Sequence, residues 1–406
     1  MPARIEWTDS HSDSSDTSST SNAHTSQARW HSESRAPVPR RVVVADDTTD
    51  AATAHRLACE GTALLWRGDF HGARQLLAAI ARRVDRKALA PAPARTPAES
   101  FHLHRRARGH RARVLGMLLV LLEEKRGEGE YGEAEYGLAL RRAPDVRAAC
   151  RAAYGPPDGP VAVSLRELLG VLGAHEWRLK GVPVPALGGA RIHPHYGVFS
   201  PVRGEYVDLV ARAPLPVAVR LGAARPRTAF DIGTGTGVLA AVLARRGLDR
   251  VVATDINPRA VTCARENLQL LGFGGQVEVV SGSLFPGPEG GAALVVCNPP
   301  WLPGRPTSAV EQGVYDSGGA MLSGFLSGLA ERLEPGGEGW LVLSDLAEHL
   351  QLRTRAQLLA DIGAAGLRVV GRLDTVPRHP RAADTGDPLH AARAAEVTSL
   401  WRLAPA

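Results

Sequence analysis

The sequence predicts an α/β fold built on a parallel sheet, and three observations lead to that prediction. From residue 228 onward, short apolar runs alternate with segments whose apolar residues recur at helical spacing. The first apolar run leads directly into a glycine-rich turn, DIGTGTG at 231–237. The chain then closes on two further apolar runs, which brings the expected number of strands in this region to seven.

The expected strands and helices follow each other in regular order. The strands, in chain order, are TAFDIG, VVATDI, VEVVSGS, ALVVCN, GWLVLSD, LRVVGRLDTV and EVTSLWRLA. The helices between them are GVLAAVLARRG, RAVTCARENLQLLG, AMLSGFLSGLAERL and RTRAQLLADIGAAG. This alternation is typical of a sheet covered by helices.

The part of the chain before residue 201 is predicted to contain three segments. Residues 1–48 are rich in Ser, Thr, His and Asp, which predicts a disordered tail without a specific role. Residues 49–176 are rich in Ala, Leu and Arg and predict a small helical domain for substrate recognition. Residues 177–200 alternate loosely between Gly and Pro turns and predict a β-hairpin linker. Within the helical segment, HLHRRARGHRAR could bind phosphates, although a solvated helix face is the favoured interpretation.

Composition limits the class of protein. A chain of 406 residues is long enough for two or three domains, and its apolar and charged fractions are those of a globular protein. The net charge of +6 suits an anionic partner such as RNA, but nearly all the basic residues are arginine in an Ala- and Gly-rich chain, which indicates a genome-wide bias. Four scattered cysteines predict reduced thiols, no metal site and a cytoplasmic location. The longest apolar run of the first half, VLGMLLVLL at 114–122, is too short to span a membrane, so no membrane association is expected.

The glycine-rich turn predicts a ligand site. Alternate glycines at Gly233, Gly235 and Gly237 let the backbone turn tightly and approach a ligand, and the following helix directs its first N–H groups toward that ligand. Asp255 ends the next strand, where an acid can bind the hydroxyls of a ribose. The spacing G-x-G-x-G and the acid that begins the motif, Asp231, favour a cationic ligand over a dinucleotide pyrophosphate.

These residues resemble the class I S-adenosylmethionine-dependent methyltransferases, since DIGTGTG is similar to their first motif and TDIN to their second. The resemblance implies S-adenosylmethionine as cofactor and a sheet whose last strand is reversed, in a catalytic domain over 201–406. In that family an acid usually precedes Leu-Phe after the third strand, whereas this chain has Ser283 there, a weaker acceptor. The cofactor-binding residues implied by the resemblance are Asp231, Gly233, Thr234, Gly235, Gly237, Asp255, Ile256, Asn257, Ser283, Leu284 and Asn298.

The fourth strand runs into CNPPW at 297–301, and the two prolines must end it because proline cannot donate to a sheet ladder. This run resembles the [N/D]PP[Y/F/W] motif of methyltransferases that act on planar NH2 groups. The amide oxygen of Asn298 and the carbonyl of Pro299 would each accept one N–H, which turns the nitrogen lone pair toward the methyl group. Trp301 would stack on the planar acceptor. The predicted catalytic residues are therefore Asn298, Pro299, Pro300 and Trp301.

A third sequence match concerns the group that accepts the methyl. GVFSPVRGEYVDLV at 197–210 resembles a segment of the HemK-type release-factor glutamine N5-methyltransferases, and the predicted order of domains also fits that family. The resemblance implies a protein glutamine amide as acceptor. Ribosomal RNA guanine methyltransferases have a comparable G-V-F-S stretch, so methylation of adenine N6 or guanine N2 in RNA or DNA is the alternative. Phe199 and Tyr206 could line the pocket or simply pack, and Asp316 could contact substrate or cap the helix that follows it.

Two hypotheses from other classes are weaker. A binding protein that keeps the pocket without catalysis is disfavoured by the intact Asn298-Pro299-Pro300 run. A nicotinamide-dependent dehydrogenase would leave CNPPW unexplained. We therefore expect N-methyl transfer to a planar NH2 group of a release-factor-like protein, or of RNA or DNA.

Overall fold

The structure is a computed structural model, and it describes residues 3–9, 24–88, 96–126, 133–202, 204–221, 226–287, 290–308, 310–378 and 384–406. Contacts within the chain divide it into two units. Unit 1 comprises residues 1–93 and 103–176, and unit 2 comprises residues 94–102 and 177–406.

Unit 1 contains a seven-stranded mixed sheet and several helices. Its strands are β1 (Arg4–Asp9), β2 (His24–Trp30), β3 (Arg41–Ala45), β4 (Thr62–Trp66), β5 (Leu118–Arg126), β6 (Ala134–Leu138) and β7 (Val161–Ser164). The helices of this part of the chain are α1 (Ala51–Cys59), α2 (Phe70–Ala88), α3 (Pro97–Leu115), α4 (Arg147–Tyr154) and α5 (Leu165–Lys180). The strands run in the order β1-β2-β7-β5-β4-β3, with β6 paired to β5, and β3, β4 and β5 are mutually parallel.

The prediction of a purely helical domain over 49–176 is therefore wrong. The segments TALLW and LLVLLEEKR, which were expected to be helical, are β4 and β5. Every residue of β4 is buried, so its side chains show no alternation, and a short apolar run buried on both faces cannot be distinguished from a buried helix by its periodicity. The apolar run at 114–122 is divided between the end of α3 and the start of β5, and among the described residues no helix is long and apolar enough to cross a membrane.

The prediction of a disordered tail over 1–48 is also wrong for the residues that the structure describes. Strand β1 pairs with β2, β2 pairs with β7, and β3 pairs with β4, so this segment supplies three strands of the sheet. In β1 the side chains of Ile5 and Trp7 are buried while those of Arg4, Glu6 and Thr8 are exposed. This alternating pattern is short and adjoins the Ser-rich stretch, so the composition of the segment did not reveal it. Most of the Ser-rich stretch lies outside the described residues.

Unit 2 contains a second seven-stranded sheet and two short strand pairs. Its strands are β8 (Val182–Pro183), β9 (Arg191–Ile192), β10 (Thr228–Ile232), β11 (Arg250–Asp255), β12 (Val277–Ser281), β13 (Ala292–Cys297), β14 (Leu302–Pro303), β15 (Tyr315–Asp316), β16 (Leu333–Ser344), β17 (Leu367–Thr375) and β18 (Thr398–Pro405). Its helices are α6 (Glu205–Arg212), α7 (Val217–Leu221), α8 (Val238–Arg245), α9 (Pro258–Leu270), α10 (Ala320–Leu329), α11 (Leu346–His349), α12 (Arg355–Ala364) and α13 (His390–Ala394). Strands β8 and β9 form a short antiparallel pair inside the expected hairpin segment.

The large sheet of unit 2 confirms the predicted α/β fold. Its strand order is β12-β11-β10-β13-β16-β18-β17, and only the last strand in the chain, β18, is antiparallel to its neighbours. The central strands β10 and β13 are buried at every residue, as expected where helices cover both faces of a parallel sheet. Because β10, β11 and β13 are parallel, their carboxyl ends share one edge of the sheet. The strand order changes direction between β10 and β13, and open α/β sheets bind ligands at the carboxyl ends beside such a point.

Strand β1 provides the test of the corrected N-terminal structure. Trp7 lies in a core cluster with Ile5, Leu65, Leu119 and Leu121 and is 4% exposed. Replacing it in Trp7→Ala should leave a cavity and lower the free energy of unfolding by about 3–5 kcal/mol. Urea denaturation followed by circular dichroism measures this change.

The matched control is Glu6→Ala, because Glu6 is the exposed neighbour on the same strand. It should change the free energy of unfolding by less than about 0.5 kcal/mol. Equal denaturation midpoints for the two variants would mean that β1 does not belong to the folded sheet.

Candidate active site

A cavity of about 600 Å³ opens at the carboxyl ends of the central strands of unit 2. Its size is that of a site for a small molecule or cofactor. Most of the residues predicted for the cofactor and the catalytic motif lie in its wall. These are Gly233, Thr234, Gly235, Asp255, Ile256, Asn257, Ser283, Leu284, Asn298 and Pro300.

The glycine-rich turn crosses from β10 into α8 in a conformation that requires glycine. Gly233, Gly235 and Gly237 have φ angles of +73°, +56° and +82°, in the region that other residues rarely adopt. Gly237 does not line the cavity. A Cβ atom there would lie 3.2 Å from the Cα of Ala264, so Gly237 is needed for the close approach of α9.

Asp255 links this turn to the end of β11. One carboxylate oxygen accepts the N–H of Gly235 at 2.9 Å and the other accepts the N–H of Asn257 at 2.9 Å. Burial raises the pKa of this carboxyl, while the backbone hydrogen bonds oppose the shift. Because a carboxylate has about four acceptor positions, Asp255 can still accept hydroxyl groups from a ligand. Asn257 in turn caps α9, since its side chain accepts the N–H of Arg259 at 3.0 Å.

Asp231 lies behind the turn and does not line the cavity. It is 1% exposed, and one oxygen accepts both the Thr234 hydroxyl at 2.6 Å and the N–H of Ala240 at 3.0 Å. The other oxygen has no hydrogen-bond partner among the described residues. Burial raises the pKa of Asp231 to about 6, and the charge of nearby Asp255 adds to the shift. The negative charges of two acids at one turn fit a cationic ligand such as a sulfonium with an ammonium group.

The catalytic motif divides into two parts. Asn298 and Pro300 line the cavity, whereas Pro299 is buried and does not line it. Trp301 is half-buried, packs against the apolar clusters on both faces of the sheet and does not line the cavity. Its indole N–H donates to the side-chain oxygen of Asn298 at 2.8 Å. The tryptophan therefore orients the asparagine and does not itself face the cavity.

A strained residue completes the wall beside β12. Leu284 has a φ of +59°, which is unfavourable for a branched side chain, and its carbonyl accepts the hydroxyl of Thr254 at 2.5 Å. Its side chain packs on Gly324 of α10, where a Cβ atom would lie 2.5 Å from a methyl carbon of Leu284. The adjacent Ser283 is exposed and lines the cavity.

The structure also places the residues for which the sequence left two roles open. Phe199 and Tyr206 line the cavity, while Arg203 of the same segment lies outside the described residues. Asp316 caps α10 by accepting the N–H groups of Met321 and Leu322 at 3.1 Å, and it also lies in the wall.

Sequence reasoning missed several wall residues on the segment after the catalytic motif. They are Pro306, Gln312, Gly313, Tyr315, Ser317, Ala320 and Met321. The loop folds closely over Phe199, because a Cβ atom at Gly313 would lie 2.8 Å from the Cβ of that residue. The repeated glycines of this stretch were the available signal, but they do not identify the residues that face the cavity.

Comparisons with known proteins agree with this geometry. Residues 189–362 match the family model of the methyltransferase small domain. A ribosomal protein L11 methyltransferase of Pelotomaculum thermopropionicum is 51% identical over 71 residues, which cover 18% of this chain and 23% of that protein. A release factor glutamine methyltransferase of Deinococcus radiodurans is 34% identical over 165 residues, which cover 38% of this chain and 56% of that protein. The predicted resemblance to class I S-adenosylmethionine-dependent methyltransferases is thereby confirmed.

Among solved structures, a ribosomal protein L11 methylase from Lactobacillus delbrueckii subsp. bulgaricus is similar to 53% of this chain, with a TM-score of 0.34 and 18% identity over 85% of its own length. The chain spans only about a quarter to a half of the length of the two curated relatives above.

The buried charge of Asp231 predicts a pH-dependent stability. Its pKa in the folded state, about 6, lies above the ordinary value of 3.8, so the folded chain binds this proton more tightly than the unfolded chain. This contribution to stability is fully present below pH 3.8 and is lost as the pH rises through about 6. Asp231→Asn cannot ionise, so its stability relative to the wild type should rise by about 3 kcal/mol between pH 3.8 and a pH above 6.

Urea denaturation across this pH range measures the difference between the two proteins. Asp361→Asn, a change at an exposed acid on α12 outside the cavity, is the control and should follow the wild-type curve. A constant difference between Asp231→Asn and wild type at every pH would show that the carboxyl does not titrate in the folded chain.

Proposed function

We propose that this chain, whose residues 189–362 belong to the methyltransferase small domain family, transfers a methyl group from S-adenosylmethionine to a planar NH2 nitrogen. The observation that supports this most strongly is the shared cavity wall. Asn298 and Pro300 of the acceptor motif line the same cavity as Gly235 and Asp255 of the cofactor motif.

The cofactor supplies an electrophilic methyl group on its sulfonium. We assign its ribose hydroxyls to Asp255, whose oxygens keep acceptor capacity beyond the two backbone N–H groups. Ile256 lies in the wall with 73% of its surface exposed, which suits an apolar contact with an adenine ring. The negative charge of the turn, from Asp231 and Asp255, favours the cationic amino-acid part of the cofactor.

Binding of the group that accepts the methyl depends on the lone pairs of Asn298. Its side-chain oxygen has two, and the indole N–H of Trp301 occupies one of them. The other remains for an N–H of the acceptor, and fixing that N–H turns the nitrogen lone pair toward the methyl group. The new N–C bond forms as the C–S bond breaks, the sulfur keeps the electron pair, and the methylated nitrogen then releases its proton to water. No dedicated general base is required.

Two acceptors fit this chemistry, a glutamine amide and the exocyclic amine of a base. The release factor glutamine methyltransferase among the relatives supports the first. The second argument for a glutamine, the predicted helical domain before the catalytic domain, no longer holds, because unit 1 is an α/β unit.

We propose the cytoplasm as the place of action. All four cysteines are free thiols, as a reducing compartment requires. Three of them, Cys150, Cys263 and Cys297, are buried.

Asn298→Ala should abolish methyl transfer with little change in cofactor affinity, because the lost oxygen acts on the transition state. By analogy with the removal of one oxyanion-hole donor, the rate constant should fall by a factor of about 10²–10³. Transfer from labelled S-adenosylmethionine to cell extract measures the rate, and calorimetry measures the affinity.

Asp255→Ala is the reciprocal variant, and it should weaken binding of both S-adenosylmethionine and its demethylated product. An Asn298→Ala protein that keeps more than about a tenth of wild-type activity would contradict the proposed role. Unchanged cofactor affinity in Asp255→Ala would contradict the cofactor assignment.

Trp301→Phe tests whether the indole N–H orients Asn298, apart from the packing of the ring, since phenylalanine keeps an aromatic ring but has no N–H to donate. The loss of one hydrogen bond of about 0.5–1.5 kcal/mol should lower kcat by a factor of about 2–12 while KM for the cofactor stays the same. A kcat equal to that of wild type would show that the indole N–H has no part in positioning Asn298. A fall in kcat together with a rise in KM for the cofactor would indicate a general packing defect instead.

A further inference from the structure

Residues 97–102 of α3 belong to unit 2, whereas the rest of the helix belongs to unit 1. Residue types that favour a helix start explain where α3 begins, since Pro97 is its first residue and the hydroxyl of Thr96 accepts the N–H of Glu99 at 3.1 Å. Among the residues of α3, all of which the structure describes, Phe101 is the only buried one before Val114. Its aromatic side chain therefore anchors a polar stretch of helix in unit 2.

Phe101 lies in an apolar cluster made of four segments that are far apart in the sequence. The other three segments lie around β14 and β15, at α11 and beside α13. Phe101 and the segment beside α13 fall outside residues 189–362, so the match to the methyltransferase small domain does not include them. This group, called the Phe101 cluster below, contains the buried residues Phe101, Leu302, Leu346, Ala347, Leu350 and Leu389, and Tyr315 packs against it.

The Phe101 cluster contacts both strands of the short pair β14–β15. Leu302 of β14 is 7% exposed and pairs with Tyr315 of β15, and two backbone hydrogen bonds of 3.1 Å join the two segments. The ring centroids of Phe101 and Tyr315 are 6.4 Å apart, with 48° between the ring planes. Because an isolated pair of strands is at best marginally stable, the position of β14–β15 depends on this packing.

The strand pair borders the side of the cavity that we assign to the methyl acceptor. Strand β14 begins four residues after Asn298. The segment that follows it, up to the end of β15, supplies part of the cavity wall, namely Pro306, Gln312, Gly313, Tyr315 and Asp316. Asp255 and the glycine-rich turn also line the cavity, but among the described residues neither belongs to the Phe101 cluster. Displacement of β14–β15 should therefore disturb the acceptor more than the cofactor.

We propose that Phe101 is a positioning residue for the methyl acceptor. It does not line the cavity and acts through Leu302 and Tyr315, which hold the segment 302–316 beside Asn298. Transfer requires the acceptor nitrogen to lie close to the methyl group and in line with it, and a displacement of about 1 Å can lower the rate about 10²-fold. The part of Phe101 in methyl transfer rests on the proposed function, whereas its packing against β14–β15 does not.

Three variants of the full chain test this role. Phe101→Ala removes the ring, and Phe101→Leu keeps part of the apolar contact. The control is Leu367→Ala, because Leu367 is 3% exposed but lies on the edge strand β17, outside the Phe101 cluster and the cavity wall. Urea denaturation measures the loss of stability in each variant, and circular dichroism confirms that the variants are folded under the assay conditions.

Three measurements distinguish a positioning role from general stabilisation. Hydrogen–deuterium exchange followed by mass spectrometry measures the opening of two segments, 302–316 at the acceptor side and 228–257 at the cofactor side. Calorimetry measures the affinity for S-adenosylmethionine. Initial rates of label transfer from saturating S-adenosylmethionine to a dilution series of cell extract give an apparent kcat and an apparent KM for the acceptor.

Phe101→Ala should raise exchange in 302–316 by about tenfold or more, because the ring packs on this segment, while 228–257 exchanges as in wild type. The apparent kcat/KM for the acceptor should fall by about 10–100-fold with cofactor affinity unchanged. Phe101→Leu should show both changes to a smaller degree. Leu367→Ala should lose stability but keep wild-type exchange in 302–316 and wild-type transfer.

Unchanged exchange in 302–316 would overturn the proposal, and so would raised exchange with wild-type kinetics. An equal rise in both segments, or a parallel loss of cofactor affinity, would also overturn it, since Phe101 would then stabilise unit 2 as a whole. If Phe101→Ala does not fold, Phe101→Leu decides the question. Exchange in 302–316 above the wild-type level then supports the proposal, and wild-type exchange contradicts it.

Failure of the proposed function would give a different result. Absence of label transfer from wild-type protein to any component of the extract would contradict N-methyl transfer. In that case raised exchange confined to 302–316 still supports the packing role of Phe101, and unchanged exchange overturns it.

Discussion

Asp255 holds the cofactor half of the active site together, because each of its carboxylate oxygens accepts a backbone N–H from a different segment. One comes from Gly235 in the turn after β10 and the other from Asn257 at the start of α9. The N–H groups of Gly233 and Thr234 are also bound, both to the carbonyl of Thr254 at 2.9 Å. These hydrogen bonds hold the turn in one shape, which lowers the entropy cost of binding a ligand.

The part of the site that binds the methyl acceptor lies at the same edge of the sheet. The prolines end β13 at Cys297, so Asn298 leaves the sheet at the carboxyl end of a central strand. Trp301 then packs against both faces of the sheet and donates to Asn298 from a position fixed by that packing. The cofactor side of the cavity is thus formed by the backbone of the glycine-rich turn. The side for the methyl acceptor is formed by the Asn298 side chain, which Trp301 holds in place. Asp231 is buried behind the wall, and Asp255 lies partly buried within it. The repulsion between these two acids lowers stability, and a cationic ligand would offset it.

The catalytic fold could be predicted from the sequence because its signals are local and agree with one another. The sequence shows apolar strand runs, a glycine-rich turn after one strand and a polar residue at the ends of two others. All of these signals indicate a ligand site at the carboxyl edge of the sheet, where Asp255 and Asn298 line the cavity. The contributions of Asp231, Gly237 and Trp301 could not be predicted, because they depend on which atoms face the cavity and which face the core. Unit 1 was wrongly assigned because β4 and β5 are buried runs without alternation and because β1 and β2 pair across a long polar stretch.

The central claim is that this site methylates a planar NH2 nitrogen, and identification of the methylated residue tests it most directly. Wild-type protein is incubated with cell extract and S-adenosylmethionine carrying a tritiated methyl group, the products are divided between nuclease and protease digestion, and the labelled residue is identified by chromatography and mass spectrometry. The account predicts label on the exocyclic amine of an RNA base or on a glutamine amide nitrogen. Label on a lysine amine, an oxygen or a carbon atom would contradict it.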